Sequence, residues 1–250
     1  MIASARYRTR FPSATRAAVS PRPRRVAACL AAGALALSSL GCADDPAAVP
    51  APSSTACDPG AAPTRTASCV EAFTPGDGAG WGMDEFPDIL YGEPRGAGLA
   101  AGGLDVLSLG KLGEIVVGFG GNEIVDGAGV DFLVFENAFY VNGDPAKIFK
   151  ELGEVSVSED GVTWHPFPCH VTALPHDGYE GCAGWHPILA NPDDGVSAFD
   201  PSVAGGDPFD LADLGLARAK FVRIKDLSGF GAADNAGFDL DAVAIVNPAR

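Results

Sequence analysis

The stretch Val155-Ser-Val-Ser-Glu-Asp-Gly-Val-Thr-Trp164 decides the fold class. Two valines alternate with serines, Glu159-Asp160-Gly161 offers a turn, and Val162-Thr163-Trp164 leads back. Strict alternation marks a half-buried strand, and Asp-Gly supplies the left-handed conformations that a tight hairpin needs. Trp164, closing the hairpin, is expected in the core. Working outward, short apolar segments of the same kind recur. Glu114-Ile-Val-Val-Gly-Phe119 and Asp131-Phe-Leu-Val-Phe-Glu-Asn-Ala-Phe139 are rich in β-branched and aromatic residues, as buried strands are. Phe221-Val-Arg-Ile-Lys225 and Phe238-Asp-Leu-Asp-Ala-Val-Ala-Ile-Val246 add two more. Long helical periodicity is missing; the best helix is the short Asp210–Leu216 segment, with Asp210 as its N-cap. With 32 glycines and 20 prolines punctuating such strands, the chain predicts an all-β sandwich or barrel.

The N-terminal end has a different character. Seven arginines and no acidic residue fall in the first 25 positions, followed by the uncharged run Val26–Leu40. A basic head and a short apolar body predict a secretory signal peptide over residues 1–41. The run is short for a spanning helix, which needs roughly 20 apolar residues. Ser39-Leu40-Gly41-Cys42 resembles the lipobox of bacterial lipoproteins, although that family prefers leucine where Ser39 stands. The resemblance implies cleavage before Cys42, diacylation of Cys42, and attachment to the envelope by that lipid alone. Ala43 after the cysteine implies, by resemblance to enteric lipoproteins, the outer membrane. Residues 42–66 carry many prolines and almost no large apolar side chain, and are expected to be a disordered tether. The remainder, 67–250, is long enough for one domain with a sizeable core.

Beyond Cys42 stand all 32 acidic residues but only ten of the 17 basic ones, a formal charge of −22. Such a field repels nucleic acid and anionic lipid head groups and favours cations. This charge argues against a nucleic-acid partner. With Cys29 in the signal and Cys42 lipidated, four of six cysteines remain, close in sequence as Cys57 with Cys69 and Cys169 with Cys182. In an exported protein two local disulfides are the economical reading.

Two segments have counterparts in a known fold. Val155–Trp164 and Ala219-Lys-Phe-Val-Arg-Ile-Lys225 resemble strands of discoidin-like and other galactose-binding-like jelly rolls. A wider likeness joins Gly118-Phe-Gly-Gly-Asn-Glu-Ile-Val-Asp126, Asp131–Phe139, Gly205-Gly-Asp-Pro-Phe-Asp-Leu-Ala-Asp213 and Gly237-Phe-Asp-Leu-Asp-Ala-Val243. It resembles a poorly characterised group of bacterial cell-surface lipoproteins and spans most of residues 86–246. The resemblance implies a jelly-roll β-sandwich at the cell surface with no assigned reaction.

The clearest chemical constellation is acidic. Asn122, Asp126 and Asp131 line a Gly-rich loop that leads into a strand ending in Glu136 and Asn137. Asp239 and Asp241, two apart on the last strand, should share one face while Phe238, Leu240 and Ala242 take the other. Neighbouring aspartates repel unless protons or a cation offset the charge. Calcium takes 6 to 8 oxygen ligands from such loops and strands. Galactose-binding-type jelly rolls often carry a structural calcium between an early loop and the last strand, so the likeness implies Ca2+ on these seven residues.

His165, His170, His176 and His186 cluster around Cys169 and Cys182, but zinc-type spacing is missing and a disulfide-pinned loop is the simpler reading. In that loop Tyr179, Trp185 and His186 present apolar rings with polar edges, suited to a sugar or a protein partner. No nucleophile elbow or phosphate-cradling motif is found. The sequence thus points to a calcium-stabilised surface module that binds a glycan or protein partner. An envelope structural protein is the alternative, and an extracellular polysaccharide hydrolase a third.

Overall fold

The computed structural model describes residues 56–171, 178–227 and 237–250, and the segments read as strands are strands except for Val162–Trp164. In chain order they are β1 (Cys69–Thr74), β2 (Leu107–Ser108), β3 (Glu114–Gly118), β4 (Ile124–Val125), β5 (Phe132–Glu136), β6 (Phe139–Tyr140) and β7 (Ile148–Phe149). There follow β8 (Gly153–Ser158), β9 (His165–Pro166), β10 (Cys182–Ala183), β11 (Asp207–Phe209), β12 (Arg218–Ala219), β13 (Phe221–Asp226) and β14 (Asp239–Ile245). The larger sheet runs β1-β3-β13-β8-β10 with β9 paired to β8; the smaller runs β11-β5-β14-β2. Pairs β12–β4 and β6–β7 form separate ribbons, and every ladder is antiparallel. Successive major strands change sheet at nearly every step, so the chain builds an all-β sandwich by crossing between layers rather than by local hairpins.

Alternation supplies the core. Val70, Ile115, Val117, Val155, Val157, Val222 and Ile224 of the larger sheet meet Phe132, Val134, Leu240, Val243 and Ile245 of the smaller, all fully buried. Each such side chain contributes about 1.5–3 kcal/mol on burial. The smaller sheet is also covered outside, where Leu133, Phe135, Ala242 and Ala244 pack under Ile188, Ala190, Ala198 and Ala204. Burial on both faces explains why Phe132–Phe135 reads as an unbroken apolar run. One expectation fails on β14. A bulge between Leu240 and Ala242 inserts an extra residue, so Ala242 turns to the outer face and Val243 and Ile245 take the inner one.

The hairpin also departs from its reading. The return strand is His165–Pro166 rather than Val162–Trp164, because residues 159–164 form a longer loop. Asp160 organises that loop, accepting from the amides of Val162 and Thr163 and from the hydroxyls of Ser158 and Thr163. Those donors, the Thr163 amide first, lower its carboxyl to about 2. Val162 is consequently 81% exposed. Trp164 is half-buried outside the core, with the Arg223 guanidinium 4.5 Å from its ring centre.

The expected tether is shorter than its composition implies. Residues 57–66 are held to the sandwich by the Cys57–Cys69 disulfide, by the Thr64 amide on the Phe119 carbonyl, and by Arg65, which donates to the Ile245 and Val246 carbonyls. The signal segment, Cys42 and the tether up to residue 55 lie outside the described residues. The short helix forms as a 3-10 turn, Leu211–Leu214, with Asp210 accepting from the Ala212 amide as its cap.

Asp131, fully buried, ties three segments together. It accepts from the Gly127 amide, the Asn247 side-chain amide and the Leu211 amide at 2.8–2.9 Å. Asp131→Ala is expected to cost about 3 kcal/mol or more, since buried donors left unpaired cost about 1–3 kcal/mol each. Urea unfolding of the variant checks this.

Candidate cation site

The alternation that buries Phe132 and Val134 carries two residues further along β5 and turns Glu136 inward. Its side chain has no exposure, and neither carboxylate oxygen has a well-formed hydrogen bond among the described residues; the adjacent Asn137 backbone amide is the one donor that lowers its pKa. The next residue, Asn137, donates from Nδ2 to Asp239 Oδ2 at 3.3 Å, while its Oδ1 is buried and unpartnered. Asp239 opens β14 opposite Ser108 of β2, whose side chain hydrogen-bonds it. Glu151, 4% exposed, stands just before β8 of the other sheet. One oxygen from each of Glu136, Glu151 and Asp239 lies within 4.8 Å of the others. The two sheets thus bring three carboxylates and an amide oxygen together at one end of the sandwich.

The backbone around them is arranged for this approach. Gly184 has φ +92°, and a Cβ there would stand 2.0 Å from the Glu151 carbonyl oxygen, so only glycine lets these segments touch. The Glu151 amide donates to the Gly184 carbonyl, and the Gly184 amide donates to Asp207 at 2.6 Å. His186 Nδ1 lies 2.7 Å from the other Asp207 oxygen. Asp226 accepts from the amides of Leu112 and Phe238, both at 2.9 Å, and so ties the entry of β14 to the loop after β2. Asp207 and Asp226 have a donor on each oxygen; Glu136 has no well-formed hydrogen bond.

Burial, reinforced by Asp239, Glu151 and Asp207, pushes Glu136 well above the usual carboxylate range. Burial first, then Asp239 and Asp226, raises Glu151 to about 8. Asp239 is raised as well, mainly by burial. No salt bridge reaches any of the three among the described residues. Such a group must be offset by protons or by a cation. An all-oxygen donor set suits a hard ion such as Ca2+ or Mg2+ rather than zinc or copper.

Of the seven residues expected to hold calcium, Glu136, Asn137 and Asp239 converge here. Glu151 was missed: on paper it is one acid among many, and only its partners single it out. Asn122 instead clamps the chain end, donating to the Thr64 and Arg250 carbonyls and accepting from the Glu123 and Arg250 amides. Asp126 is exposed near Asp131 and Asp210, whose oxygens already serve buried amides and a helix cap. Asp241, raised to about 7 chiefly by burial, accepts the Arg95 amide beside a separate cleft.

The aromatic loop residues form a small core of their own. Tyr179 is buried edge-on to Trp185, and Trp185 donates its indole N–H to the Cys182 carbonyl. The rings of Trp185 and His186 lie 3.5 Å apart. The Cys169–Cys182 disulfide closes this loop, as the spacing suggested. His176 lies outside the described residues.

Fold and site together define an all-β sandwich with a buried oxygen-donor cluster at the junction of its sheets. No protein-family model and no curated protein sequence matches the chain.

A carboxyl that is protonated in the fold and ionised in the unfolded chain makes folding take up a proton, so stability falls as pH rises between the two pKa values. For Glu151 that window runs from 4.5 to about 8. The melting midpoint of chelator-treated protein is therefore expected to fall across this window. In Glu151→Gln, which mimics the protonated form, calorimetry should find a flatter decline. A midpoint that climbs with pH would contradict the assignment.

Proposed function

We propose that this chain is an exported, lipid-anchored surface module that binds a glycan or a protein partner. In this reading its sandwich is closed at one end by Ca2+ on Glu136, Asn137, Glu151 and Asp239. One observation carries it: a fully buried carboxylate, without a well-formed hydrogen bond to either oxygen, lies with two further carboxylates, and the neighbouring Asn137 keeps an unpartnered amide oxygen. Leaving an ionised group so placed costs several kcal/mol, and an ion bridging the two sheets offsets that cost. A bound ion would supply positive charge and fix the relative position of β5, β14 and the start of β8.

The burial also weighs against a hydrolase working through these acids, because a polymer cannot reach a side chain without exposure. Two disulfides suit an oxidising compartment outside the cytoplasm. Among the described residues no helix is long and apolar enough to cross a membrane. An envelope protein with a purely structural role is the alternative, and the cleft of about 370 Å³ beside Asp241 favours binding over it.

Thermal unfolding of the chain from Ala43 onward, in calcium and in chelator, tests the reading. An ion bound only by the folded state adds about 2.7 kcal/mol at a hundredfold excess over Kd. The midpoint is expected to rise by several degrees in calcium, and Glu136→Gln should remove most of that gain. Equal midpoints in calcium and chelator for well-stripped protein would overturn it.

A further inference from the structure

The cleft beside Asp241 is distinct from the carboxylate cluster and has its own chemistry. It holds about 370 Å³ between the 85–95 segment, Asp105, Pro192 and the bulge of β14. Asp241 is the residue that the bulge inserts, and bulges commonly re-aim a side chain at a site. It is only 3% exposed, yet its two oxygens share a single donor, the Arg95 amide, at 3.1 and 3.3 Å. A carboxylate has about four acceptor positions, so this one faces the cleft short of donors.

The walls deepen the deficit. Glu85, Asp88, Glu93 and Asp105 also line the cleft. Arg95, the sole cation among the lining residues, is already engaged by Asp105 at 3.3 Å and Asp193 at 3.2 Å. Between these acids lies apolar surface from Tyr91, Ile89 and Pro192. Trp81 is 57% exposed, and its indole N–H donates to the carbonyl of Leu104, the chain neighbour of the lining residue Asp105. An exposed indole face held in one orientation offers a surface on which an apolar ring can stack.

A ligand for this cleft offers several hydrogen-bond donors at separated positions, positive charge, and an apolar ring face. A uronic or sulfated glycan is repelled by the walls, and one lysine side chain brings donors to a single point only. We propose that the cleft binds an oligosaccharide bearing free amino groups, with Asp241 and Asp105 accepting from its amines and hydroxyls and Trp81 flanking the entrance. This rests on the binding-module reading and names its ligand class and its seat.

Isothermal titration of the chain from Ala43 onward, saturated with calcium, against a glucosamine tetramer tests the proposal, with the N-acetylglucosamine tetramer and tetralysine as further probes. The glucosamine tetramer is expected to bind, and its N-acetylated form about tenfold or more weakly, as loss of a charge-assisted hydrogen bond implies. Asp241→Asn should weaken binding by a similar factor, and Trp81→Ala should weaken it without lowering the melting midpoint. Glu136→Gln, still folded, should lose the calcium response but keep the sugar, so the two readings fail separately. The proposal is overturned if the glucosamine tetramer does not bind, if tetralysine binds as tightly, or if Asp241→Asn leaves the affinity unchanged.

Discussion

Glu136 stands where water does not reach and where no donor forms a good hydrogen bond to its carboxylate. The rest of the architecture near it can be understood as a response to that constraint. β5 and β14 deliver Glu136, Asn137 and Asp239 from the smaller sheet, and the entry to β8 delivers Glu151 from the larger. A sandwich joined only by apolar contact tolerates small sliding of one layer over the other. A charged group shared between layers does not, because displacement alters a strong, short-range interaction in a low-dielectric setting. The proposed ion would convert a liability at the sheet junction into a fixed point.

The acids of this chain divide by what their oxygens already do. Asp131, Asp160, Asp207 and Asp226 have a backbone or side-chain donor on each oxygen, and they organise loops. Glu136 and, in part, Asp239 and Asp241 are left with unused capacity, in two places two residues apart along β14. The bulge at Asp241 keeps those places separate. Without it, β14 would keep a strict alternation and Ala242 would lie in the main core.

Much of the fold was legible locally. Alternation marked β8, short β-branched and aromatic runs marked β3, β5, β13 and β14, and cysteine spacing marked both disulfides. Misreadings came where a residue's role depends on what lies across from it. Trp164 sits outside because a loop of six residues, organised by Asp160, displaces the return strand. Asn122 looks like a cation ligand in a Gly-rich loop, yet the chain end claims its side chain, whereas Asp126 and Asp131 do lie together with Asp210.

The sequence by itself determined the strand content, the covalent loops, the acidic character and the apolar faces, because alternation, turn chemistry and charge act over a few residues. Which acids meet was decided only by the tertiary structure. Glu136, Glu151 and Asp239 come from separate strand segments and touch through sheet pairing and the close approach that Gly184 allows. Proximity across layers depends on register, bulges and backbone clearance summed over the whole sandwich, and no local pattern encodes that sum.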